Sequence, residues 1–371
     1  MEGGKCCLEN LELVRLLEKS YKNKKVFITG HTGFKGSWLS MWLQNIGATV
    51  KGYSLDTEEN TELLFESVKT NLEIESVFSD IRNKEKLQTE ILNFQPDFIF
   101  HLAAKSLVRY SYSFPIETIE TNITGTANLL NSLIKLDKRC NVIVVTTDKV
   151  YENKEWIYPY RENDELGGYD PYSASKACAE IVTGSFRNSF FNLNNFDSHG
   201  KAISTARAGN VIGGGDYSAD RIIPDIIKSL SDNSIIKIRN PESIRPWQHV
   251  LDPLNGYLLL GCRMSEAPLH YSGAYNFGPL PDSSLTVLEL VENALKHWEG
   301  GSYEVSMNKN EPHESSLLRL DITKSEIELN WKPKWNSSEA IKRTILWYKK
   351  SFIEKENDFE LCMSDIENFQ K

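Results

Sequence analysis

Residues 30–36 read Gly-His-Thr-Gly-Phe-Lys-Gly, placed between the apolar run Lys25-Val26-Phe27-Ile28-Thr29 and a stretch with helical spacing from about Ser37 to Ile46. Strand, glycine turn and helix in that order constrain this chain more than any other feature. Glycines at such a turn admit positive φ and let the backbone approach a pyrophosphate, which rests on the helix N-terminus. A bare turn of this kind has little specificity. Here the next apolar run, Thr49 to Ser54, is followed by Asp56, and a carboxylate there accepts the adenosine ribose hydroxyls and repels a 2′-phosphate, favouring NAD over NADP. Gly30, Thr32, Gly33, Phe34, Gly36 and Asp56 are therefore candidate cofactor residues. Lys35 is either a solvated first-turn lysine or an extra phosphate contact.

The alternation continues. Short apolar runs at Val77-Phe78, Asp97 to His101 and Asn141 to Thr147 are separated by helical spacing at Lys84 to Leu92 and Glu117 to Leu136. Asp170-Pro171 marks another helix start, an N-cap acid followed by a first-turn proline. The pattern predicts an α/β fold, a Rossmann-type doubly wound parallel sheet. After about Arg207 the regularity loosens around Gly213-Gly214-Gly215, Pro224, Pro241 and Pro246, as in a smaller C-terminal substrate-binding domain. The expected division is an N-terminal appendage (1–21), a cofactor domain (22–208) with a return segment (247–265), a substrate domain (209–246 and 266–356) and a solvated tail (357–371).

Composition narrows the function. The chain has 371 residues and a net charge of −9, from 42 Lys plus Arg against 51 Asp plus Glu. Nucleic-acid binding usually leaves a basic footprint, so none is expected. No apolar run approaches the roughly 20 residues that span a bilayer, so no membrane association is expected. The N-terminal stretch carries charges inside its apolar part and reads as no signal peptide. Six cysteines, scattered apart from Cys6-Cys7, fit neither a disulfide framework nor a metal knuckle, and no metal is expected. Reduced thiols and a cytoplasmic enzyme follow.

Two further constellations carry chemistry. Tyr172 and Lys176 stand four apart on a predicted helix and share a face. A nearby ammonium stabilises phenolate, so Tyr172 is a candidate base for a substrate hydroxyl. Thr146-Thr147-Asp148-Lys149-Val150-Tyr151 follows the Asn141 to Val145 run, and open α/β sheets bind ligands beyond the carboxyl ends of their strands. Read blandly, Thr147 and Asp148 are loop and cap residues.

Together these motifs resemble the extended short-chain dehydrogenase/reductase superfamily. The glycine motif, Asp56, Asp80-Ile81, His101-Leu102-Ala103-Ala104, Asn122, Thr147, Tyr172 and Lys176 fall in family order over about Lys24 to Tyr348. The runs 30–39, 147–149, 152–156, 167–172, Gly213-Gly214-Gly215-Asp216 and Arg245-Pro246-Trp247-Gln248-His249-Val250 are similar to its CDP-glucose 4,6-dehydratase branch. The resemblance implies tightly held NAD, contacted also by Asp80, Ile81, Leu102, Ala103, Ala104 and Asn122. It further implies a nucleotide-sugar substrate, CDP-glucose foremost, and conversion to a 4-keto-6-deoxy sugar. Tyr172 would take the O4 proton and Asp148 would protonate the departing C6 hydroxyl. Many nucleotide-sugar dehydratases carry glutamate where this chain has Lys149. That lysine either accepts the C5 proton as a neutral amine or stays charged and stabilises the enolate. For the substrate, Asn210, Arg221 and Arg245 are the candidates, since an arginine fork matches phosphate geometry. Ser106 and Arg109 are expected to face the pocket; His313 is a further candidate, and His249 either a contact or a structural histidine. A 4-epimerase, or a dehydratase for another nucleotide sugar, would use the same tyrosine and cofactor. A non-catalytic NAD-binding sensor or scaffold is a remoter reading. A homodimer through the helices near 117–136 and 171–186 is expected, C2 pairs being the commonest closed assembly.

Overall fold

The computed structural model describes residues 2–57, 63–218, 221–280, 283, 285–305 and 318–371; the side chains of 2–11, 244 and 245 fall outside that set, as does His313. Seven strands, β1 (Lys25–Thr29), β2 (Thr49–Ser54), β3 (Glu75–Phe78), β4 (Phe98–His101), β5 (Cys140–Val145), β6 (Lys201–Ala208) and β7 (Ala274–Phe277), form one sheet in the order β3-β2-β1-β4-β5-β6-β7. Every pairing is parallel. The order reverses between β1 and β4, which opens the crevice where such sheets bind ligands.

Both faces of the sheet are covered, so its central strands read as continuous apolar runs. In β5, Ile143 and Val145 face one core while Val142 and Val144 face the other. Each large side chain so buried contributes about 1.5–3 kcal/mol. The helices include α1 (Glu2–Tyr21), α2 (Phe34–Ile46), α3 (Lys84–Phe94), α4 (Pro171–Ser189), α5 (Leu251–Glu266) and α6 (Asp358–Gln370). Helix α2 starts three residues earlier than its apolar spacing suggests, which puts Phe34, Lys35 and Gly36 in its first turn. The 115–135 helical stretch is interrupted by a π turn at Glu120–Thr124.

Three expectations need correction. Residues 1–21 are not set apart: Leu17 and Tyr21 are fully buried, Tyr21 packs on Phe98 at 4.6 Å between ring centroids, and its hydroxyl donates to Leu258 O at 2.8 Å. The tail is not a solvated helix either. Its acidic residues hide an apolar stripe, Leu361, Cys362, Ile366 and Phe369, that buries against the main body, with Phe369 on Trp42 and Trp335. Finally, β7 lies beyond residue 265, so the chain's return to the sheet is longer than the 247–265 segment. A four-residue strand after a loop carries too little periodicity to be seen in advance.

Candidate active site

The glycine turn is built for close approach. Gly30 has φ +78°, and a Cβ on it would stand 2.7 Å from Ala103 N. A Cβ on Gly36 would stand 2.0 Å from Gly30 O, so α2 can start against β1 only with glycine there. The Gly33 N-cap makes no side-chain hydrogen bond to the first turn. Those N–H groups and the positive end of the helix dipole form an anion cradle. Thr32 Oγ1 is 2.7 Å from Ser54 Oγ. Asp56 is exposed just past β2 and lines a cavity of ≈ 400 Å³ with Thr57, Phe65, Ser76 and Phe78. His31 is buried beneath this turn, held by Ser76 at 3.0 Å, and burial lowers its pKa to about 4. Asp80 is bridged by Arg82, and buried Ile81 packs where a Gly125 side chain would stand. Leu102, Ala103 and Ala104 leave β4 alongside the turn, Leu102 N bonding Thr29 O.

These residues fit a dinucleotide: glycines where a side chain would clash, an uncapped helix start, and a carboxylate at the end of β2. Asn122 is buried beside the loop after β4. Its amide is spent within the protein, accepting from Lys105 N and donating to Lys105 O and Ser175 Oγ. Carried on the π turn, it ties the loop after β4 to the catalytic helix.

The acid–base groups converge at the end of β5. Asp170 caps α4 through Ser173 N, which sets the phase that turns Tyr172, Ser175, Lys176 and Glu180 inward. Thr147 caps the short helical turn Asp148–Val150, and its hydroxyl donates to Asp148 Oδ1 at 2.9 Å. Asp148 is 6% exposed. Burial raises its pKa above the ordinary carboxylate value, against the opposing pull of Lys149, Thr147 and Lys35. Burial also pushes Tyr172 up to about 12; Thr147 and Arg221 oppose this and Asp148 adds to it. Lys176 is buried on the same face of α4 as Tyr172. Its ammonium donates to Val145 O at 3.0 Å, and burial lowers it to about 8 while Glu180 pulls it up. Lys149 is half-buried beside Asp148.

Lys35 is half-buried. Its ammonium lies 3.4 Å from the Tyr257 hydroxyl. Burial, then Arg221 and Lys176, bring it down to about 7, with Asp148 opposing. Arg221 pairs with Asp216 at 3.0 Å and belongs to the same electrostatic group. Asn210 is exposed, its carbonyl accepting from Gln248 N. Ser106 is exposed and Arg109 half-buried on the loop and short helix after β4. Arg245 lies on a two-residue strand paired with Leu285–Thr286; its side chain, like His313, lies outside the described residues. His249 is structural: it is buried between Trp38 and Trp335, and burial lowers it to about 3.

Some residues were not visible in the sequence reading. Glu180, one turn beyond Lys176, is buried with Arg207 at 2.9 Å and receives Thr146 and Thr205. Its spacing of four from Lys176 and eight from Tyr172 was the available signal. Tyr257 and Arg319 carried none, because distant chain segments bring them to the site. No group of three or more His, Cys, Asp or Glu suited to a metal occurs among the described residues.

A sequence profile described as GDP-mannose 4,6 dehydratase matches residues 27–344. The chain belongs to this family, within the extended short-chain dehydrogenases/reductases. The CDP-glucose 4,6-dehydratase of Salmonella typhimurium is 47% identical over 335 residues, covering 90% of this chain and 93% of that one. Among solved structures, a dTDP-glucose 4,6-dehydratase from Streptomyces venezuelae, with NAD bound, matches with a TM-score of 0.74 and 24% identity over 88% of this chain and 97% of its own. An epimerase from Methanothermobacter thermautotrophicus matches with a TM-score of 0.78 and 22% identity over 92% and 96%. These folds coincide with the sheet described above. Family membership also makes sense of Gly213-Gly214-Gly215-Asp216: Gly214 O accepts from Trp38 Nε1 of the glycine-motif helix, and a Gly214 Cβ would strike Trp347.

Proposed function

We propose that the protein is an NAD-dependent lyase that converts CDP-glucose to CDP-4-keto-6-deoxyglucose with loss of water. The observation that carries this reading is the buried Asp148 carboxyl, its pKa raised by burial, within the electrostatic reach of Tyr172. A 4-epimerase needs only the tyrosine; elimination of a hydroxyl needs a proton donor as well. The 47% identity to the Salmonella typhimurium enzyme supports CDP-glucose as the substrate.

The turn 30–36, Asp56 and the 102–104 loop would hold the cofactor. NAD bound there supplies a hydride acceptor for the C4 hydrogen, a hydride donor for C6, and in its oxidised form a ring charge that favours phenolate. Tyr172 accepts the O4 proton, with Thr147 and Arg221 countering the effect of burial on the phenol. The C4 ketone then acidifies the C5 proton. Asp148 gives its proton to the C6 oxygen, which leaves as water, and the C5 proton is returned at the end. Lys149, next to Asp148, serves the C5 proton or the enolate charge. Arg221, Arg245 and Asn210 would bind the nucleotide sugar together with Ser106 and Arg109, and His313 is a further candidate for the same role.

Two further readings accompany this one. Ile116, Ile119 and Ile181 expose apolar side chains on the 115–119 helix and α4, as a homodimer contact through these helices requires. Buried, unbonded Cys140, Cys262 and Cys362 suit a reducing compartment, and among the described residues no helix is long and apolar enough to cross a membrane. The direct test incubates the purified protein with CDP-, dTDP-, UDP- and GDP-glucose and follows the products by mass. CDP-glucose should lose one water and retain its nucleotide. Turnover of another nucleotide instead, or epimerisation without water loss, would displace this reading.

A further inference from the structure

Beside Asp148 lies a small cavity of ≈ 70 Å³, walled by Pro159, Gly209, Gly278, Leu318 and Leu320 together with Arg319. Its walls are largely apolar, and Arg319 brings a full positive charge to them. The backbone of Arg319 is firmly set. Its carbonyl accepts from Tyr160 N at 2.8 Å, and Asp321 N returns a bond to Tyr160 O at 2.8 Å. Tyr160 is itself buried and stacked on Tyr151 at 5.1 Å. The side chain is different. Its Nε is buried without a hydrogen-bond partner, and among the described residues the guanidinium makes no ion pair. Arg207 nearby is already committed to Glu180.

A buried donor on a charged group is costly to leave unmatched, since its lost hydration is not replaced. An arginine that lines an apolar cavity with its Nε buried and unbonded is suited to an anion in that cavity. Its planar fork suits a phosphate oxygen, where a lysine offers only a point charge. We infer that Arg319 is a substrate-binding residue that takes an oxygen of the sugar-nucleotide diphosphate. With Asp148 on the same cavity, the arginine sets the sugar's position relative to the proton donor. This inference rests on the nucleotide-sugar reading and adds to it a residue that no motif marks.

The test measures binding to the NAD-loaded protein by calorimetry, with CDP and cytidine as probes, for the native protein, Arg319→Met and Arg319→Lys. Charge-assisted contacts predict a weakening of CDP binding by about ten- to a hundredfold in Arg319→Met. Cytidine affinity should be unchanged and Arg319→Lys should recover part of the loss. In turnover, KM for CDP-glucose should rise more than kcat falls. Unchanged CDP affinity in a variant that melts like the native protein would overturn the assignment. So would an equal loss for CDP and cytidine, which would mark a structural role. UDP and dTDP are run in parallel. A native protein that prefers one of these loses the CDP reading, and the arginine is then judged on that nucleotide. A native protein that binds no nucleoside diphosphate refutes both.

Discussion

Replacing Asp148 by Asn separates the two halves of the reaction. The perturbation is small in shape. Thr147 Oγ1 donates to Asp148 Oδ1 at 2.9 Å, and an amide oxygen can accept that bond. The amide nitrogen is nearly isosteric with the other oxygen, which faces the Cβ-free side of Gly209. Removal of a buried acid whose pKa is raised by burial also removes a titration cost. Fold and NAD binding should therefore survive, with stability changed by no more than about 1 kcal/mol. The chemistry is affected at one step. A general acid contributes about 10²–10⁴-fold, or about 3–5 kcal/mol of barrier at 1.36 kcal/mol per factor of ten. That barrier applies when the C6 hydroxyl leaves and not when C4 is oxidised. After rapid mixing with CDP-glucose, Asp148→Asn should show a near-ultraviolet rise from reduced cofactor that persists, with water loss slowed by that factor. Tyr172→Phe should show neither signal. Normal dehydration by Asp148→Asn would mean that the proton comes from elsewhere and that the assignment of this pocket is wrong.

Asp56→Ala should relax the preference for NAD over NADP by removing charge repulsion, as read by titration with both cofactors; equal affinities in the native protein would show that Asp56 does not select. Asp252 accepts from Lys334 N at 2.6 Å, and burial raises its pKa to about 7. The folded protein therefore holds a proton here that the unfolded chain releases near pH 4, so the contribution of Asp252 to stability falls as pH rises from about 4 to 7. Asp252→Asn should gain on the native protein across that window, by up to about 4 kcal/mol at 1.36 kcal/mol per pH unit, and a stability difference in urea that does not vary with pH would contradict this. The native protein should sediment as a dimer at micromolar concentration, and Ile181→Asp should shift it toward monomer; a native monomer would end the dimer reading.

Much of the fold follows from local pattern. Apolar runs long enough for a buried parallel strand, alternating with helical spacing, already mark five of the seven sheet strands, and glycines at 30, 33 and 36 mark the cofactor turn. Tyr172, Lys176 and Asp148 are legible because helix spacing and strand-end position are properties of short segments. Tertiary structure decided the rest. The N- and C-terminal helices read as peripheral because only packing tells which face of an acidic helix meets tryptophan. Lys176 cannot be seen from sequence to spend its ammonium on Val145 O, nor Asn122 its amide on Lys105 and Ser175. Lys35, Tyr257 and Arg319 come into the surroundings of Asp148 and Tyr172 only because the fold gathers segments far apart in the chain. The pKa shifts of Asp148, Tyr172, Lys35 and Lys176 come from the same source, since burial is a property of the whole fold and of no single stretch of sequence.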